Sequence, residues 1–119
     1  MKIERGEIYV VNLIEKDAKG FEIGKKRPAI IVQANPWNEE LPTTIVVPLS
    51  TTPPKYMDPG TVTFQEREAG LEENSTVVFP EIRGVDKSRL GKRIGKVNSE
   101  KMRKVDNVLS LILGLNPID

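Results

Sequence analysis

The chain has 119 residues, 38% hydrophobic and 29% charged, with a net charge of +1. That is the size and make-up of one globular domain with one core, taken here as a single domain over residues 1–119. Cysteine and histidine are both absent, which excludes disulfides, thiol nucleophiles, zinc–thiolate sites, histidine general bases and Ser-His-Asp triads.

No apolar run reaches the roughly 20 residues that cross a bilayer. The opening MKIERGEIYV turns charged again at once and holds no signal-peptide core. A cytoplasmic protein without a membrane segment is expected. The acidic residues show no metal-loop spacing, so no metal and no cofactor is expected either. The near-neutral total hides an asymmetry. Nine of the eighteen basic residues fall within residues 83–104, while Glu66, Glu68, Glu72 and Glu73 form an acidic counterweight upstream. Such a run marks either an anion-facing surface or a solvated face whose charges fold back on one another.

Residues 7–13, EIYVVNL, are rich in aromatic and β-branched side chains, follow Arg5-Gly6, and read as a first strand. Residues 14–26 are polar, contain Gly20 and Gly24, and read as a long loop of the kind that carries function. The loop ends at Arg27-Pro28 and passes into the apolar run Ala29-Ile30-Ile31-Val32, a second strand with both faces buried or with its edge closed into a barrel. Arg27 thereby becomes a cation held at a strand mouth beside a loop. Residues 34–42, ANPWNEELP, read as another loop; their Trp37 is either a core plug or an exposed platform for stacking a base.

Residues 43–49, TTIVVPL, are the third strand, running into Ser50-Thr51-Thr52 and the sheet-breaking Pro53-Pro54. Residues 60–65 alternate Val62 and Phe64 against Thr61 and Thr63, a half-buried strand. Residues 75–82 read as a further strand in which Pro80 implies an edge or a bulge. Residues 83–91 read as a turn with a short helical element, and residues 92–97 as a last brief strand. Ser99 is a candidate N-cap for a closing helix in which Met102, Val105, Val108, Leu109, Ile112 and Leu113 recur at helical spacing, with Gly114 as its stop. The second half of that helix is apolar nearly all round, which marks either a dimer interface, with Leu109 and Ile112 as the candidate contacts, or deep packing within a monomer. Together these elements predict a mainly β fold with α (α+β): a compact small antiparallel β-barrel with short helices and a C-terminal helix.

Five segments, in register over nearly the whole chain, resemble the MazF/PemK toxins, the ribonucleases of bacterial toxin–antitoxin pairs. They are Arg5-Gly6-Glu7-Ile8-Tyr9; the spacing of Gly20, Glu22, Arg27 and Pro28; PTTIVVPLS up to Ser50; EIRGVDKSRL from Glu81; and the tail from Ile94. The resemblance implies a barrel of the CcdB/MazF/PemK type, assembled as a homodimer. It further implies metal-independent, sequence-specific cleavage of single-stranded RNA to a 2′,3′-cyclic phosphate and a 5′-hydroxyl, and a cognate antitoxin as partner. By position the catalytic pair is Arg27 and Ser50, with Thr51 an adjacent substitute. The chain departs from the family at Ile23, where relatives often carry Gln, and at Pro80, where some use a catalytic acid.

The residues support that chemistry independently. A guanidinium binds phosphate oxygens bidentately and keeps its charge, and Ser50 or Thr51 can donate to a non-bridging oxygen. The base is the weaker element: Glu22 can take the 2′ proton, orient Arg27, or simply pair with Lys25 or Lys26. For binding, Lys25, Lys26, Lys55 and the basic run from Arg83 supply charge, Trp37 and Tyr56 can stack, and Glu81 sits beside Arg83. The alternatives from other classes are a non-enzymatic CcdB-like gyrase poison and an inactive nucleic-acid- or antitoxin-binding barrel.

Overall fold

The computed structural model describes residues 2–13, 26–52 and 60–115. Among them a seven-stranded antiparallel sheet forms from β1 (Glu7–Asn12), β2 (Lys26–Ile31), β3 (Thr43–Ser50), β4 (Thr63–Phe64), β5 (Ser75–Val77), β6 (Arg83–Asp86) and β7 (Leu90–Lys96). Two helices, α1 (Asn35–Glu40) and α2 (Ser99–Ile112), complete it. The strand order is β4-β5-β3-β2-β1-β7, and β6 pairs with the first half of β3.

Strand alternation builds two cores, one on each face. Ile8, Ile30, Val47 and Leu49 point to the side covered by α2 and join Phe64, Phe79 and Val105. Tyr9, Val11, Ala29, Ile31 and Val46 point to the other side and join Val85 and Leu90. Val85 lies on β6 and Leu90 on β7, the two ends of the path β6-β3-β2-β1-β7. For both ends to reach one cluster the sheet must curl, and the result is a half-barrel. The continuous apolar run of β2 is thus explained by burial on both faces, one of the two readings its sequence allows.

Entry into the sheet is fixed by Arg5-Gly6. Gly6 adopts φ +91°, a conformation that favours glycine, and its N–H donates to Ile31 O at 2.8 Å. The Arg5 guanidinium forks onto Asp106 of α2 at 2.6 and 3.2 Å, while its Nε donates to Val32 O. One side chain therefore joins the N-terminus, the end of β2 and the closing helix.

Five elements differ from the sequence reading, the first being the strand read at residues 60–65, which is confined to Thr63–Phe64. Residues 35–40 form α1 rather than a loop. Pro36 suits a first helical turn, and the buried Asn38 accepts from Thr44 Oγ1 at 2.7 Å and donates to Gln33 O at 2.9 Å. Six residues are too few to show a period. The strand at residues 75–82 stops at Val77, because Pro80 sits inside a 3₁₀ turn, Phe79–Glu81, whose first turn has no use for its missing N–H. Residues 83–86, read as turn, form β6, and the helical element shrinks to a 3₁₀ turn at Lys87–Arg89. In α2 the cap is Asn98, whose side chain accepts from Lys101 N at 2.8 Å; Ser99 is the first helical residue. The stop at Gly114 holds: its φ is +74°, with Gly114 N to Leu111 O and Leu115 N to Ser110 O closing a Schellman motif.

Leu109 belongs to the protomer's own core, only 7% exposed, and Ile112 packs against the same cluster. The apolar surface that remains at this end is Leu113 (51% exposed), Leu115 (76%) and Ile45 of β3 (38%). With Arg5, Val32 and Ile82 they line a shallow groove.

Candidate active site

Arg27 lies near the start of β2, paired with Val11 of β1. The β2–β3 ladder ends with Ala29 against Pro48; continued by two residues, the same register sets Arg27 against Ser50, which itself pairs with Thr76 of β5. Opposed residues of an antiparallel pair point to the same face. For Arg27 and Ser50 this is the face of Val11 and Ala29, at the open end of the half-barrel. Two residues far apart in sequence are thus set on one face by the register. Arg27 Nε is buried and, among the described residues, has no hydrogen-bond partner. A buried unsatisfied donor of this kind costs about 1–3 kcal/mol, which an anionic oxygen would recover.

The hydroxyls divide between two positions. Ser50 Oγ accepts from Thr52 N at 3.1 Å, which fixes the oxygen and leaves its proton free to donate. Thr51, with Arg27, lines an open cavity of about 380 Å³. Its lining also includes the apolar Val10, Pro28, Leu71 and Ile94 and the polar Lys92, Ser75, Glu72 and Glu73. These last four escape sequence reasoning. Lys92 was legible only as one charge in a basic run, and Glu72 and Glu73 only as members of an acidic stretch.

The turn bearing the carboxylates is tightly fixed. Arg67 (φ +71°), Ala69 (φ +54°) and Gly70 (φ +85°) turn the backbone through the left-handed region, strain that persists only where the surroundings impose it. Here they do. A Cβ on Gly95 of β7 would stand 2.1 Å from Ala69 O, and one on Gly70 2.3 Å from Ile94 O, so turn and strand pack backbone to backbone. Glu68 accepts from Gln65 N at 2.9 Å and pairs with Lys101 of α2 at 2.7 Å. Lys101 hydrogen-bonding holds the Glu68 carboxyl below its ordinary value. Leu71 is buried, and Ser75 Oγ donates to Glu73 O.

The basic run resolves into both of its readings. Arg93 pairs with the buried Glu7, Lys96 with Glu4 and Lys101 with Glu68, so these charges fold back. Burial alone would raise the Glu7 carboxyl, yet bonds from Arg93 and the Glu4 N–H outweigh it and hold Glu7 low. Burial first, and Arg89 second, lower Arg83. Arg89 in turn reaches Asn12 O, and Asn12 pairs with the exposed Lys26. Lys26, Arg27 and Arg89 accordingly share one end of the sheet, while Arg83 is paired with Val46, itself opposite Ile31 at the other end of β2.

Trp37 is elsewhere. It is 59% exposed, not a core plug, and rides on α1 at the opposite end of β2 from Arg27. Glu81 closes the 3₁₀ turn just before β6. Glu22, Lys25, Lys55 and Tyr56, and the Ile23 departure, lie outside the described residues. Among the described residues no three or more acidic side chains are grouped so as to hold a metal ion, and no helix is long and apolar enough to cross a membrane.

A family model described as "PemK-like, MazF-like toxin of type II toxin-antitoxin system" matches residues 4–113. The chain belongs to this family. "Endoribonuclease MazF" of Staphylococcus epidermidis is 33% identical over 117 residues, 98% of this chain and 96% of the relative. Among solved MazF-like folds, the Deinococcus radiodurans MazF superposes with a TM-score of 0.78 at 21% identity, covering 96% of this chain and 98% of that one. An "Endoribonuclease in complex with its cognate antitoxin from Mycobacterial species" gives 0.72 at 24% identity, covering 99% and 98%. The half-barrel with its closing helix is therefore the MazF fold.

Proposed function

We propose that this toxin is an endoribonuclease that cleaves single-stranded RNA at short sequences without a metal ion, by attack of a ribose 2′-hydroxyl on the adjacent phosphate. The products are a 2′,3′-cyclic phosphate and a 5′-hydroxyl. The observation that supports the proposal is the buried Nε of Arg27, without a partner among the described residues, on the sheet face that the β2–β3 register also gives Ser50. A dianionic phosphorane offers the acceptors this donor lacks, and the guanidinium meets it with charge-assisted bonds that strengthen as charge develops. Ser50 donates its O–H to a non-bridging oxygen, its own oxygen being held by Thr52 N–H; Thr51 is the neighbouring donor. Glu22 remains the proposed acceptor of the 2′ proton.

RNA is held by Lys25, Lys26, Lys55, Glu81 and Arg83, with Tyr56 stacking a base. Trp37, at the far end of β2, serves only an RNA long enough to run the length of the hairpin. The likeness to a mycobacterial relative solved with its antitoxin supports an antitoxin as protein partner, in the cytoplasm. The Leu113, Leu115 and Ile45 surface supports a homodimer, with Leu109 and Ile112 backing it from the core side.

The chemistry is tested on a short cleavable RNA beside the same RNA with 2′-deoxyribose at the scissile nucleotide. Mass spectrometry of the all-ribose products should show the cyclic phosphate, and the deoxy substrate should survive. Cleavage of the deoxy substrate would exclude 2′-hydroxyl attack.

A further inference from the structure

The sheet changes character along β3. Beside β1 and β2 both of its faces are buried, whereas beside β5 and β4 the face away from α2 is open. Leu49, Val77 and Phe64 there join the core under the closing helix. The open face carries Ser50, Thr76 and Thr63, the first two half-buried and the last exposed. Ser50 pairs with Thr76, and Thr76 with Thr63, and opposed residues of antiparallel strands share a face. Three hydroxyls therefore stand in one row across three strands, about 10 Å from first to last at the ordinary strand spacing. The β2–β3 register, continued, sets Arg27 on this face too.

Two of these hydroxyls are unspent. Thr44 Oγ1 is bound to Asn38 and Ser75 Oγ to Glu73 O. Thr63 receives Lys101 Nζ on its backbone oxygen only, and among the described residues no hydrogen bond occupies its hydroxyl or that of Thr76. The row is poorly suited to phosphate. Its threonines are uncharged, and the turn joining β4 to β5 carries Glu66, Glu68, Glu72 and Glu73. A hydroxyl both donates and accepts. The ribose 2′-hydroxyl does the same, and by it a protein tells RNA from DNA at a given position.

We infer that Thr76 and Thr63 form a ribose subsite, which holds the 2′-hydroxyl of a nucleotide adjacent to the one that is cut. The inference rests on the ribonuclease reading, in which Ser50 puts the scissile phosphate at the head of the row. Thr76 is the nearer contact and the better fixed. Its strand is paired on both sides, and a β-branched side chain in a strand is stiff at χ1. Thr63 extends the subsite by one strand. Both are positioning residues: the 2′-hydroxyl they hold is not the one that attacks.

The test is cleavage kinetics on a short cleavable RNA and on copies carrying one 2′-deoxyribose at a time, at every position except the scissile nucleotide. The proteins are the wild type, Thr76→Val, Thr63→Val and Thr76→Ser. Valine keeps the branched shape that suits a strand, and serine keeps the hydroxyl. With the wild type, deoxyribose at one nucleotide beside the cut should raise KM by about 2- to 10-fold, the worth of one hydrogen bond. Either valine variant should raise KM on the all-ribose RNA by a similar factor. It should add nothing to the effect of that deoxyribose, because both changes remove one contact. Thr76→Ser should restore the wild-type pattern, and kcat should hold throughout. Should Thr76→Val unfold, the exposed Thr63→Val decides by the same criterion. Valine and deoxyribose effects that multiply overturn the inference, as does a loss confined to kcat on every substrate. A wild type that cleaves the RNA yet ignores the flanking riboses overturns this inference alone; one that cleaves none of the RNA overturns the ribonuclease reading with it.

Discussion

Arg27 can be singled out from the sequence because Pro28 and the apolar run after it fix its place at a strand mouth. Its partner is less legible, since Ser50 is set on the same face only through the β2–β3 register. Arg27→Ala should lower RNA cleavage by at least about 10²–10³-fold while the far-UV circular dichroism stays that of the wild type. Arg27→Lys should recover little, because an ammonium cannot reproduce the planar fork. A folded Arg27→Ala protein of full activity would remove Arg27 from the mechanism. The two hydroxyls are separable by Ser50→Ala and Thr51→Val under single-turnover conditions. The variant that loses about 10²–10³-fold identifies the donor to the phosphate, and Ser50 is expected to be that residue. The carboxylates at Glu72 and Glu73 are illegible in the sequence for a physical reason: their position depends on backbone in the left-handed region at Arg67 and Ala69, which residue types do not announce.

At the scale of elements, the strands that carry both cores are written in their continuous apolar and β-branched runs, and the closing helix in its 3.6-residue period. The elements that departed are short or proline-bound. α1 is held by the buried Asn38 network more than by any intrinsic pattern, and Pro80 forces a 3₁₀ turn where a strand was read. The turn over residues 67–73 makes the sharpest prediction. Gly95→Ala would drive a Cβ into Ala69 O, where neither backbone can yield cheaply, and should cost about 1–3 kcal/mol. A lowered melting temperature together with new protease cleavage within residues 66–74 would report it; an unchanged melt would mean the turn is not locked on β7. Stability should also depend on acid. The Glu7 and Glu68 carboxyls are held below their ordinary value of 4.5 in the fold, so their contribution is present above that value and is lost as pH falls through the lowered folded values. With no histidine in the chain, thermal stability should stay nearly level from about pH 5.5 to 7.5 and decline below about pH 4.5. A decline centred near pH 6 would contradict this assignment.

For the whole molecule, the sequence's excess of apolar residues in the last helix has two destinations. Leu109 goes to the protomer's core, so Leu109→Asp should unfold the protein rather than merely separate two copies, a loss of at least about 2–5 kcal/mol. Leu113 and Leu115 go to the surface beside Ile45. Leu113→Asp should leave the fold intact and shift sedimentation from dimer to monomer; a wild type that sediments as a monomer would remove the premise. The curl of the sheet, which sets Arg27 and Ser50 at an open end, follows from apolar residues on both faces of β1, β2 and β3. Which bases are read follows from the loops, and there the sequence alone is silent. The central claim is that Arg27 makes this chain a ribonuclease. Its most direct test is incubation of a long single-stranded RNA in EDTA with the wild type and with Arg27→Ala. Discrete fragments from the wild type alone are predicted. Intact RNA with the wild type, or the same fragments from both proteins, would contradict it.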